Sequence, residues 1–289
     1  MMKKYLAGCC ILLAAASCGN SKHSKAPASL PGTWQPQPIA IDGNSKDWPS
    51  PYPNYDSKAM VAYATSNDGQ NLYITMETGD ALTQMKILKQ GMSVSVDTNG
   101  KKEGQMHINY PLPNDSEPLD ISKSESHFDN SSYASRKWDQ GLTRAAGEAN
   151  QFSLDGFRNC NGGYMVSQTT NCGIKVILKI DEYKELVWEA VIPFKAIYGR
   201  ESITAADAGR PISVCFSVNR FKHPETKAEN NSGMNNSMNA GSMRGGGGGG
   251  RGGGGHGGGG SRGTTTDPKQ HLYEATKTWK QFGLAFQGN

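Results

Sequence analysis

Asn71-Leu72-Tyr73-Ile74-Thr75-Met76-Glu77-Thr78 alternates polar and apolar side chains, the period of a strand with one buried face. Just before it, Ser66-Asn67-Asp68-Gly69 reads as a turn, in which Asp-Gly supplies the positive φ that tight hairpins need. Met60-Val61-Ala62-Tyr63-Ala64-Thr65 then forms the other arm of a hairpin.

Outward from this pair the same pattern repeats. Gly91-Met92-Ser93-Val94-Ser95-Val96-Asp97 alternates, Thr98-Asn99-Gly100 turns, and Met106 to Pro111 returns. A polar stretch follows from Asn114 to about Ser131, and Ser135 to Ala149 carries Trp138 and Leu142 at helical spacing. Gly162–Val166 and Gly173–Ile180 read as a hairpin pair. Leu186-Val187-Trp188-Glu189-Ala190-Val191-Ile192-Pro193 is the strongest strand of the second half, with a helical turn over Phe194–Ile197. Ile212–Asn219 and Trp279–Phe286 complete the set. Antiparallel strands joined by turns, with few helices, predict an all-β sandwich.

Neither end of the chain fits that pattern. Lys3 and Lys4 precede an apolar run from Tyr5 to Ala14, followed by Ala15-Ala16-Ser17-Cys18. This is the layout of a secretory signal, too short in its apolar part for a spanning helix. The Cys after small residues resembles the lipobox of bacterial lipoproteins. That resemblance implies a signal peptide over residues 1–17, removed before a diacylated Cys18, and a membrane anchor. More than one acyl chain would hold the protein stably. Residues 18–35, rich in Ser, Lys, Ala and Pro, read as a flexible tether, and 36–289 as the sandwich domain. The expected location is the cell envelope, outside the cytoplasm, with the leaflet unspecified.

Near the other end, Glu229 to Thr266 is Asn, Ser and Met followed by almost pure Gly. Such a segment cannot bury enough apolar surface to offset its ordering entropy, so a disordered insertion is expected at 229–266. The net charge is +4, and Lys3 and Lys4 leave with the signal. A nearly neutral mature chain gives no reason to expect nucleic acid as a partner.

Of the remaining cysteines, Cys160 and Cys172 flank a short strand and are expected to pair in an oxidising compartment, whereas Cys215 alternates inside a strand as a small packing residue. Catalytic signatures are missing: there is no Gly-x-Ser-x-Gly, no His-Glu-x-x-His and no phosphate-cradling loop. An enzyme is therefore not expected. Met106 and His107 are neighbours on one strand and face opposite ways, so they cannot jointly clamp a haem iron. Asp97 and Asn99 place hard oxygen donors at alternate positions, which suits calcium, although plain turns share that spacing. No other cofactor is expected.

Ile39-Ala40-Ile41-Asp42-Gly43-Asn44-Ser45-Lys46-Asp47-Trp48 opens the domain. Its Ile-Asp-Gly and Asp-Trp resemble the first strand of family 9 carbohydrate-binding modules and their DOMON-like relatives. Asn71–Ile74, Gly91–Asp97, Trp188–Phe194 and Val218-Asn219-Arg220 follow in the same order. The chain is also similar to Bacteroidetes lipoproteins with a Gly-rich insert before the last strand. The resemblance implies a jelly-roll-like antiparallel β-sandwich, structural calcium, and sugar binding between aromatic side chains. Two clamp tryptophans cannot be matched residue by residue, and Trp48, expected across an open end of the sandwich, reads with Trp188 as core. Tyr52, Tyr55, Tyr133 and Trp138 are the aromatics that read as exposed, the alternative being that they pack beneath loops. Two functional readings follow: a non-catalytic anchored lipoprotein that binds carbohydrate or a related envelope ligand, or a structural lipoprotein that contacts another envelope protein.

Overall fold

The computed structural model describes residues 32–113, 132–223 and 270–287, residues 132–135 by their backbone alone. The expected lipid site Cys18 and the insertion at 229–266 lie outside the described residues. In chain order the strands are β1 (Asn54–Asp56), β2 (Val61–Asn67), β3 (Asn71–Thr78), β4 (Met92–Asp97), β5 (Met106–Asn109), β6 (Gln151–Asp155), β7 (Gly162–Met165), β8 (Lys175–Ile180), β9 (Leu186–Pro193), β10 (Pro211–Val218) and β11 (Thr276–Gly283). The helices are α1 (Ala81–Gln90), α2 (Ser132–Glu148) and α3 (Phe194–Tyr198).

The strands form two antiparallel sheets, ordered β1-β2-β3-β9-β8 and β11-β10-β4-β5-β6-β7. The chain passes between sheets in matched steps. β3 lies beside β9 in one sheet, and their successors β4 and β10 lie side by side in the other. This is jelly-roll-like winding. Alternation decides the filling: Leu72, Ile74 and Met76 of β3 face Val94 and Val96 of β4 and Val214 and Phe216 of β10 in one core. Tyr63 and Phe216 meet across it, with ring centroids 5.0 Å apart. Trp188 is fully buried there, and its indole N–H donates to the Tyr110 carbonyl at 3.0 Å.

Two elements depart from the sequence reading. The segment after β3 is a helix, α1: the Asp80 side chain accepts from Thr83 N at 2.8 Å, and Gly91 closes the helix at φ +75°. A Cβ at Gly91 would lie 2.6 Å from the Pro111 carbonyl oxygen, so the next strand is entered without a side chain. The expected hairpin of Gly162–Val166 with Gly173–Ile180 does not form. β7 pairs with β6, and β8 pairs with β9 in the opposite sheet. The connection between them crosses from sheet to sheet, and the Cys160–Cys172 disulfide, Cα atoms 5.6 Å apart, closes that crossover. Cys215 is buried in β10.

Candidate functional site

Part of the outer face of the five-stranded sheet is apolar, and a strap from Ile39 to Tyr52 covers it. Ile39, Trp48, Ala64 and Tyr73 form a second buried cluster there, with Ile41, Tyr52 and Val191 packed against it. Trp48 therefore lies flat on a sheet face, not across an open end of the sandwich. The reason is Glu189, which β9 directs outward beneath the strap with no solvent exposure. Its carboxylate accepts from Trp48 Nε1 at 2.7 Å, Gly43 N at 2.7 Å and Asp42 N at 3.1 Å. Burial pushes the Glu189 carboxyl up, against the pull of these donors. The strap itself is wound by short side-chain turns, Asn44 N to Asp42 Oδ1 at 2.9 Å and Lys46 N to Asn44 Oδ1 at 3.1 Å. Gly43 has φ +78°, and a Cβ there would meet the Lys179 side chain at 2.8 Å.

Beyond the strap the sheet face is covered unevenly: Val187 is fully buried, Ala62 and Glu77 are half-buried, and Tyr55 and Lys179 are exposed. The register aligns Tyr55 with Ala62, Ala62 with Glu77, Glu77 with Val187, and Val187 with Lys179, all pointing outward. Tyr55 and Glu77 thus stand two strands apart, roughly 9–10 Å. Ala62 is the residue between them in the row, and its small side chain makes the side-chain layer lower there than at Tyr55 or Glu77, a shallow depression in the row. Tyr55 is 60% exposed. Tyr52 comes in from the strap, its hydroxyl 3.2 Å from Thr75 Oγ1 and in reach of Glu77.

The charges at this depression are tuned by burial. The Glu77 carboxyl is pushed up to about 7, first by burial and then by the neighbouring Glu185 and Asp181 carboxylates. Glu185 is raised by the same causes. Asp181 instead orders the β8–β9 turn, accepting from Tyr183 N and Glu185 N at 2.9 Å each. A half-buried carboxyl near neutrality beside two phenols can both accept from and donate to hydroxyl groups. Sequence reasoning singled out the two tyrosines. It missed Glu77 and Glu189, whose outward positions read as ordinary solvent-facing polar residues of alternating strands.

The other sequence candidates lie elsewhere. Trp138, on α2, is packed against the main core. Tyr133 is on the same helix, in the part described by backbone alone. Asp97 is fully buried at the end of β4, where its two oxygens accept from Asn99 N at 2.7 Å and Glu103 N at 2.9 Å. Its carboxylate thus shapes the β4–β5 turn, and Asn99 stands exposed on that turn. Among the described residues no three His, Cys, Asp or Glu side chains gather as a metal cluster. Met106 faces the core and His107 faces outward, 2.9 Å from Ser95 Oγ through Nδ1. Asp155 is next to His107 in register, and Ser95 is 5% exposed. No described helix is long and apolar enough to cross a membrane.

No protein-family model and no curated protein matches the chain. Among solved structures, it is similar to a family 9 carbohydrate-binding module from Caldicellulosiruptor kristjanssonii in complex with glucose, at 13% identity and a TM-score of 0.30, covering 66% of this chain and 78% of that one. The same module in complex with cellotriose matches at 12% identity and a TM-score of 0.28, covering 66% and 76%.

Proposed function

We propose that this chain is a non-catalytic, lipid-anchored envelope protein that binds carbohydrate at the depression framed by Tyr55, Ala62, Glu77 and Tyr52. The observation that carries the reading is the register row itself. An exposed aromatic ring and a half-buried carboxyl stand on one sheet face on either side of the small Ala62, with a phenol hydroxyl held beside the carboxyl. Sugar recognition needs an apolar ring against which C–H groups pack and a few fixed polar partners for hydroxyls. The anchor rests on the lysines, apolar run and Cys18 of the leader.

Calorimetric titration of the full chain in mild detergent with a panel of neutral oligosaccharides tests the reading. At least one should bind, and Tyr55→Ala and Glu77→Gln should each weaken it about tenfold with the fold intact by circular dichroism. Lack of heat across the panel, or full affinity in both variants, defeats it.

A further inference from the structure

The opposite end of the sandwich carries a second, differently charged feature. Thr98, Asn99, Lys101, Tyr198, Arg210 and Pro211 line an open groove of about 580 Å³ between the β4–β5 turn and the entry to β10. It is separated from the depression by most of the length of β3, since β9 ends beside Asn71 and Glu77 is six residues further on. The groove is built on Tyr198. The Arg200 guanidinium lies 5.4 Å and that of Arg210 6.0 Å from its ring centroid. Phe194 packs against the same ring at 5.8 Å. The ring is therefore a shelf for guanidinium groups, not an open face for a sugar.

One carboxylate holds both arginines. Asp207, 3% exposed, contacts Arg200 Nη2 at 2.5 Å and Arg210 Nη1 at 3.5 Å. Its other oxygen takes Thr204 N and Oγ1. The Arg200 hydrogen bond holds its carboxyl down at about 2, so it is ionised at any ordinary pH. The facing turn is equally fixed, by the two backbone amides on Asp97 and by Gln281 Nε2 on the Gly100 carbonyl at 3.1 Å. Lys101 on that turn has no carboxylate partner among the described residues. Two arginines thus share one engaged carboxylate, Lys101 lines the groove from the facing turn, and the Asp97 carboxylate behind that turn is consumed by amides. Excess positive charge on two sides of one groove is the chemistry of anion capture.

We infer that this groove binds the carboxylate of an acidic sugar, with Arg210 and Lys101 on the carboxylate and Asn99 and Thr98 on its hydroxyls. The rim favours a saccharide over a bilayer. Among the described residues none of the exposed large hydrophobics, Tyr55, Met60 and Tyr183, borders the groove, so no described side chain there would enter lipid.

Affinity electrophoresis of the full chain in mild detergent, through gels containing polygalacturonate, alginate or fully methyl-esterified pectin, tests the inference. Retardation is expected by polygalacturonate or alginate but not by the ester, weakened by salt. Arg210→Ala and Lys101→Ala should each weaken it about tenfold, and Arg210→Lys less. Tyr55→Ala should leave it unchanged, which separates this groove from the sugar depression. No retardation by either acidic polymer, equal retardation by the ester, full binding in Arg210→Ala and Lys101→Ala, or binding only to phosphatidylglycerol vesicles overturns it.

Discussion

Removing the Trp48–Glu189 hydrogen bond should reveal how the strap is held, because two single changes at this contact are expected not to add. Trp48 is 5% exposed and Glu189 fully buried, so neither group has water to turn to. Trp48→Phe deletes one hydrogen bond to a charged acceptor, worth about 1.5–3 kcal/mol. Glu189→Gln keeps the shape but replaces an acceptor oxygen with an NH2 group. Three N–H donors converge on that carboxylate, so one of them must then face another donor. The cost is about 2–3 kcal/mol, the penalty for a buried unsatisfied group. In the double variant the indole N–H is gone, and the amide can turn its NH2 toward the vacated side while its oxygen keeps Asp42 N and Gly43 N. The double change should therefore cost about 1–2 kcal/mol less than the sum of the singles. Urea unfolding followed by far-ultraviolet circular dichroism measures this, and each single change should lower Tm by roughly 4–8 °C for a domain of this size. Additivity within about 0.5 kcal/mol, or a Glu189→Gln protein as stable as wild type, would refute the latch.

Stability should fall as pH rises from about 4.5 to about 7. The unfolded Glu77 carboxyl loses its proton near 4.5 while the folded one keeps it until about 7, so the folded state binds more protons in that window. The side chain is half-exposed, and solvent screening reduces its share to about 1 kcal/mol. Glu77→Gln should flatten the slope in a pH series of urea melts, and an unchanged slope counts against the assignment. Paired Cys160→Ser and Cys172→Ser substitutions open a loop with a sequence separation of 12 and should cost about 3 kcal/mol, read as a lower urea midpoint. Metabolic labelling with palmitate should mark the wild-type chain and leave Cys18→Ser unmarked; label on the variant would remove the anchor at that residue.

The strands were legible because alternation is a local property. Asn71–Thr78 and Leu186–Pro193 read off the sequence with the bounds they have in the structure. Two signals were present and passed over: Asp80 three residues before Thr83, and Gly91 after Leu82, Met85 and Leu88 at helical spacing, together mark α1. Pairing was less legible than existence. β7 and β8 are close in sequence, which suggests a hairpin, yet a disulfide-closed crossover parts them, and no local pattern distinguishes a turn from a crossover of similar length. The sites were the least legible part. Glu77 and Glu189 stand in adjacent outward rows on neighbouring strands, one half-buried and one sealed beneath the strap. Arg200, Asp207 and Arg210 carry no periodic signal in sequence and become a charge cluster only around the Tyr198 ring.

The strap links stability to the proposed function through its length. An outward face bearing Ala64, Tyr73 and Val191 cannot be left wet, so the chain must be laid over it before β1 begins. The strap is fastened in its middle, at Asp42, Gly43 and Trp48, and Tyr52 is the last of its residues packed on that cluster. Two residues later β1 starts, and its Tyr55 turns outward beside Ala62. The position of the depression is thus set by where covering stops. One outward row of β2–β3–β9 further along, the residues change from Ala64, Thr75 and Glu189 to Ala62, Glu77 and Val187, and the strap's hydrogen bonds to the carboxylate of the first row have no counterpart at Glu77 except the Tyr52 hydroxyl. Glu189 and Glu77 are the same residue type on the same face. Enclosure by three donors makes the first a fastener, and an open flank leaves the second able to meet a ligand.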